Sequence, residues 1–365
     1  MISVASPIIS KEEIESVNSV LKSGVLAQGP KVAELEEKFA ALCGTRYAVA
    51  VNSGTAALHA ALHAAGIGLG DEVITTPFSF IATINPILMV GAKPVLVDID
   101  PVTFNINPHF LPKAITRRTK AIIPVHLYGQ TADMDDIKKL CKERGIVVIE
   151  DACQAVNATY RRKKAGGLGD LGCFSLYATK NIMSGEGGIV TTNNKSYMEA
   201  IKRFRQHGMT AQYEYAELGY NYRMTDLQAA IAVEQAKKVD KFTLARQKNA
   251  ARLDAGLADV LGIVLPKLAK NRTHVYHQYT IRVTKDFRLS RQELVDALKD
   301  HDISSGIYYP KPLHAYPHIQ RLGYKIGQFP EAEAAARECL SLPVHPKVSA
   351  RDVRTIVAAF KELGR

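Results

Sequence analysis

Up to residue 193 the chain alternates between short apolar runs rich in β-branched residues and longer stretches with helical spacing. The runs RYAVAVNSG, DEVITTPFS, KPVLVDID, AIIPVHLYG, IVVIEDACQ, GCFSLYAT and GGIVTTN predict seven strands. Most are apolar on both faces, the pattern of a sheet covered by helices on each side. Stretches such as GTAALHAALHAAGIG and MDDIKKLCKERG fall between several of them with a helical pattern. Strands alternating with helices predict an α/β fold with a mainly parallel seven-stranded sheet.

Farther on, TDLQAAIAVEQAKKVDKFTLARQKNAARLDAGLA reads as one long helical pattern with few breakers. The texture then changes to isolated strands such as HQYTIRV and amphipathic helices such as SRQELVDALKD. This predicts a large domain with an N-terminal helix at 1–240 and a smaller C-terminal α+β domain at 241–365.

Composition narrows the function classes. A chain of 365 residues that is 47% hydrophobic buries large cores, which excludes intrinsic disorder as its main state. The formal charge of +11 fits nucleic acid, an acidic membrane surface or a small anionic substrate. The densest basic run, YRRKKAGG at 160–167, sits at a predicted hairpin tip. One tip does not make the extended face that tracking a phosphate backbone requires, so no nucleic-acid partner is expected. The five cysteines are scattered without a CxxC pair, which fits a reducing cytoplasm. No apolar run reaches eighteen residues and the N-terminus turns polar early, so neither membrane nor export is expected.

Ligands of open parallel sheets gather at the carboxyl ends of the strands. Asn52, Ser53, Gly54 and Thr55 in VNSGTAALHAAL lie between a strand and a helix, where free N–H groups and a hydroxyl face an anion. The same residues also suit an ordinary N-cap. VVIEDACQA ends a buried strand on Glu150 and Asp151. Such a carboxylate needs a partner, whether a helix cap, a salt bridge or a protonated ring nitrogen. Lys180 follows GCFSLYAT, with Ser175 five residues earlier and the turn SGEGG next. Together, an amine, a carboxylate and a phosphate cradle at three strand ends match what pyridoxal 5′-phosphate (PLP) requires. Phe80, just after ITTPFS, is placed to stack on the ring. His59 and His63 have a metal-binding spacing but no third ligand, which leaves them as helix-surface histidines and the metal count at none. GIGLGD follows a helix and precedes a strand, the reverse of the dinucleotide-binding order.

Eight ordered segments carry a family resemblance: VNSGTAALHAAL, TTPFSFIATINPILMVGAKPVLVDIDP, PVHLYGQTADMDDI, IEDACQA, CFSLYATKNIMSGEGG, LGYNYRMTDLQAAI, GIYYPKPLH and LSLPVHP. They resemble the PLP-dependent sugar aminotransferases of the DegT/DnrJ/EryC1/StrS type, a branch of the type I, aspartate-aminotransferase-like fold. The resemblance implies Lys180 as the Schiff-base lysine, Asp151 as the pyridinium partner, Gln154 near the ring's 3′-oxygen and Phe80 as the stacking residue. It also implies that Gly54, Thr55 and Ser175, beside Ser53, hold the phosphate, and that Asn221 reaches it from the neighbouring subunit of a homodimer with shared active sites. Arg223 is placed to meet a diphosphate across that dimer. Tyr309 and His314 in YYPKPLH are placed either to line the sugar pocket or to pack the small domain.

The implied reaction takes nitrogen from glutamate, leaves pyridoxamine 5′-phosphate, and delivers the amino group to a keto group at ring carbon 3 or 4 of a nucleoside-diphosphate-linked keto sugar. A family branch that removes a hydroxyl instead carries histidine in place of the lysine, and Lys180 argues against it. Two rivals stand beside this reading. One is a cyclitol aminotransferase acting on a keto-inositol with glutamine. The other is a regulatory or DNA-binding protein on the same scaffold, suggested by the basic charge alone.

Overall fold

The computed structural model describes residues 1–364. All seven apolar runs join one sheet: β1 (Tyr47–Val51), β2 (Glu72–Thr75), β3 (Lys93–Leu96), β4 (Thr119–Ile122), β5 (Val147–Asp151), β6 (Leu171–Ser175) and β7 (Gly188–Thr192). Their spatial order is β1–β7–β6–β5–β4–β2–β3. Pairing is parallel from β6 through β3, while β7 runs antiparallel to both of its neighbours. The strands are buried along most of their length, as helices on both faces require.

Helix Gly54–Ala64 follows β1 and is buried at almost every position, packed between the sheet and helix Lys195–Phe204. His59 therefore is not a surface residue: it is 2% exposed, its Nδ1 lies 3.0 Å from the Tyr222 hydroxyl, and its ring meets Phe204 edge-on. The helix has no solvent face there. His63 stacks on Phe204 with Nε2 3.3 Å from Glu217. Among the described residues no cluster of His, Cys, Asp and Glu could hold a metal.

The long helical pattern after Thr225 divides into Asp226–Lys237 and Val239–Leu257, with Lys238 at φ −103°, ψ −1° between them. A Thr225–Gln228 capping box opens the first helix. At the junction the Lys238 ammonium donates to Glu13 on the N-terminal helix Lys11–Ser23 at 2.7 Å, a tertiary contact that propensity does not reveal. Val239 and Phe242 belong to the core beside the sheet, whereas Ala250, Leu253 and Leu257 belong to a second core.

That second core surrounds an antiparallel sheet of Ile263–Val264, Tyr279–Val283 and Cys339–Leu342 with helices Arg291–Asp300 and Ala350–Leu363. Ile2 joins it through a bridge to Ile303, so the chain's first residues lie with the later ones. Tyr308, Tyr309 and Leu313 turn back onto Phe78, Ile84 and Val125 of the large unit. This return places two tyrosines over the carboxyl ends of the strands.

The basic run forms a hairpin of Thr159–Tyr160 and Lys163–Lys164, and Arg161 at its tip pairs with Asp135 at 2.6 Å. Among the described residues no helix is long and apolar enough to cross a membrane, and all five cysteines are free.

Candidate active site

The site is built from three strand ends. At the first, Ser53 leaves β1 in extended geometry and caps helix Gly54–Ala64 by accepting from the Ala56 amide at 3.1 Å. The N-cap reading of Ser53 is therefore correct, and it leaves other donors free. Among the described residues the Gly54 and Thr55 amides meet no protein acceptor, and they point out of the positive helix end beside the Thr55 hydroxyl. Close approach here depends on glycine. A Cβ at Gly54 would lie 2.8 Å from Ser175 Cβ, and one at Gly188 would lie 2.1 Å from the Ser53 carbonyl oxygen.

The second end carries two carboxylates facing apart. Glu150, wholly buried, accepts from the Gly166, Leu168 and Gly169 amides at 2.7–2.8 Å and contacts His126 Nε2 at 2.9 Å. His126 Nδ1 accepts from the Ala132 amide, so its ring proton sits on Nε2 and points at Glu150. Glu150 is thus fully used in holding the fold. Asp151 turns to the other face, where Oδ2 accepts from Thr83 Oγ1 at 2.7 Å and Oδ1 from the Cys153 amide at 3.2 Å.

Past the third end, Ser175 closes β6 and the chain turns to Lys180, whose amide donates to the Tyr177 carbonyl at 2.9 Å. Burial lowers the Lys180 pKa, opposed in part by Cys153 and Asp151. Its amine is thereby shifted toward the neutral, nucleophilic form.

These ends open into one cavity of about 790 Å³, within the range of small-molecule sites. Ser53, Gly54, Thr55, Phe80, Asp151, Gln154, Ser175, Lys180 and Tyr309 all line it. Gln154 is oriented by accepting from the Tyr128 amide at 2.8 Å, which turns its NH₂ onto the Tyr309 hydroxyl at 3.0 Å. Burial, then Asp151, pushes the Tyr309 pKa up, so this phenol keeps its proton. A buried amine, a carboxylate and an unpaired amide cradle in one cavity fit PLP as a donor set.

Three expected residues lie elsewhere. His314 is fully buried away from the cavity, with Nε2 3.0 Å from Glu333 and its ring against Phe329. Its side chain packs the return segment and does not line this cavity, contrary to the sugar-pocket alternative. Asn221 is exposed and Arg223 half-buried, both outside the cavity of this chain. The sequence reading missed Ser79, Thr83, His277 and Tyr308, which also line it. Ser79 and Thr83 carry a signal, hydroxyls four apart after a strand end. His277 and Tyr308 carry none, because a distant segment brings them in.

Residues 7–361 match the model of the DegT/DnrJ/EryC1/StrS aminotransferase family. The chain belongs to this family. Members similar to it include the GDP-perosamine synthase of Caulobacter vibrioides, 39% identical over 99% of this chain and 98% of that protein. Another, from Geobacillus stearothermophilus and 44% identical over 98% of this chain and 95% of that protein, is named a pleiotropic regulatory protein. Among solved structures, Spr1654 of Streptococcus pneumoniae in its PLP-form superposes with a TM-score of 0.94 at 31% identity, covering 100% of this chain and 98% of that one. As a family member the chain is a PLP-dependent aminotransferase of the type I fold.

Proposed function

We propose that the chain moves an amino group from glutamate to the keto carbon, C3 or C4, of a nucleoside-diphosphate-linked keto sugar. The observation that carries this reading is the meeting of Lys180, Asp151 and the free Gly54 and Thr55 amides in one cavity. A relative that makes a GDP-linked amino sugar supports the acceptor class.

When bound, PLP supplies an electron sink for the charge that develops at the donor's Cα. The chain's own residues do the rest. The Gly54 and Thr55 amides, with the Thr55 and Ser175 hydroxyls, would hold the phosphate at the helix's positive end. Asp151 would hold a proton on the ring nitrogen, Gln154 would meet the 3′-oxygen, and Phe80 would cover the ring. Lys180, poised toward neutrality by burial, would move the proton between the donor's Cα and the cofactor's C4′. In the second half it would move the proton in the opposite sense, toward the sugar carbon. Tyr309 faces the acceptor from the return segment.

The working unit in this reading is a homodimer in which Asn221 reaches the partner's phosphate site and Arg223 the acceptor's diphosphate. The exposure of Asn221, and of Phe80 at 57%, supports it. Five free cysteines support a reducing, cytoplasmic setting.

A second reading has one observation behind it, the relative named a pleiotropic regulatory protein. It would make regulation, with or without turnover, the biological role. Purified protein supplied with glutamate and a panel of nucleotide-linked 3-keto and 4-keto sugars decides between them. Amination of one member, with glutamate consumed, is expected. Amination of none supports the regulatory reading, and amination of a free keto-inositol with glutamine supports a cyclitol substrate.

A further inference from the structure

We propose that Thr83 is a positioning residue for Asp151, itself aligned by Ser79, so that the carboxylate holds one orientation toward the cavity. The inference rests on the cofactor role proposed above for Asp151.

The geometry fixes the direction of each hydrogen bond. Thr83 Oγ1 lies 2.7 Å from Asp151 Oδ2, and Ser79 Oγ lies 2.7 Å from Thr83 Oγ1. A threonine hydroxyl has one proton and a carboxylate only accepts, so Thr83 donates to Asp151. Ser79 must then donate to Thr83. The three side chains are 2%, 1% and 5% exposed, so water does not substitute for any of them.

The second carboxylate oxygen is also occupied, by the Cys153 amide at 3.2 Å. With a donor on each oxygen, rotation about Cβ–Cγ would break both bonds. The backbone beneath is pinned as well: the Asp151 amide donates to Pro124 at 2.9 Å, and its carbonyl accepts from His126 at 3.0 Å. Only the side-chain torsions remain free, and Thr83 removes that freedom at Oδ2 by a charge-assisted bond.

Thr83 closes the single turn Ile81–Thr83 that follows Phe80. The bond that orients the carboxylate therefore also moors the loop carrying the aromatic ring. One hydroxyl would thus set two faces of the cofactor site at once.

Thr83→Val keeps the volume and the branch but cannot donate, whereas Thr83→Ser keeps the donor and loses the methyl. The test measures the PLP dissociation constant of cofactor-free protein by fluorescence quenching, together with the ¹⁵N shift of ring-labelled PLP, which reports how its proton is shared with Asp151. Thr83→Val is expected to weaken PLP binding on the order of tenfold and to move the ¹⁵N shift. Thr83→Ser is expected to stay within about twofold of wild type, since the bond survives. Wild-type binding and shift in Thr83→Val overturn the inference, as does a Thr83→Ser as impaired as Thr83→Val, which would assign the effect to the methyl. If Thr83→Val does not fold, Ser79→Ala carries the test: binding about threefold weaker supports the chain of hydroxyls, and unchanged binding overturns it. Wild-type protein that takes up no PLP overturns the role of Asp151 and this inference with it. Uptake by wild type with no change in the variants overturns the inference alone.

Discussion

Burial lowers the pKa of both Lys180 and His59, with opposite uses. For Lys180 the neutral form is the one that its proposed role as base requires. His59 has no ligand to meet; desolvation, then His63, brings it down to about 4 from the ordinary 6.5. As pH falls below about 6.5 the unfolded chain takes up a proton that folded His59 refuses until about 4. Stability from this group is therefore full above 6.5, declines between 6.5 and 4, and is lost below. The melting temperature of cofactor-free His59→Gln should fall less than that of wild type between those two pH values. His274, brought by burial to about 3, leaves some acid sensitivity in both proteins. Parallel curves would remove His59 as a source. Lys180 and Asp151 were legible in the sequence because each is a charged group after a buried strand, an arrangement costly without a purpose. His59 was not, since spacing along a helix says nothing about whether a neighbouring helix covers that face.

At the scale of elements, the seven strands were legible because double-sided burial leaves an uninterrupted apolar run. The reversal of β7 was not, since such a run reads alike in either direction. The break at Lys238 escaped for a related reason: good helix formers flank it, and the contact with Glu13 comes from far along the chain. The segment Gly219–Arg223 shows the same dependence on distant partners. Asn52 ties it down, donating from its amide to Tyr222 at 2.9 Å and from its side chain to Asn221 at 3.3 Å, so the turn that leads into helix Gly54–Ala64 anchors this exposed strap. If that strap serves the partner, mixing inactive Lys180→Ala and Asn221→Ala dimers should restore roughly a quarter of wild-type activity, through hybrids with one intact site of two. Activity that stays absent while mass measurements show subunit exchange would count against the crossing.

For the whole molecule, the position of the cavity follows from chain return. The large unit supplies the amine, carboxylate and amide cradle, and the segment leading back from the second core supplies Tyr308 and Tyr309. The division at residue 240 describes a change of texture, but one helix runs from the first core into the second, and Ile2 pairs with Ile303. The net charge of +11 agrees with an anionic acceptor without selecting one. In the proposed function Lys180 carries out amino transfer from glutamate in this cavity. The most direct measurement of that role is a single half-reaction: PLP-loaded protein mixed with glutamate and no acceptor, followed by visible absorbance and by the 2-oxoglutarate released. Wild type should convert its PLP to pyridoxamine 5′-phosphate with about one 2-oxoglutarate per chain, and Lys180→Ala should slow this by at least about a thousandfold. Conversion by Lys180→Ala at the wild-type rate, or a PLP-loaded wild type that glutamate leaves unchanged, would rule out this role for Lys180.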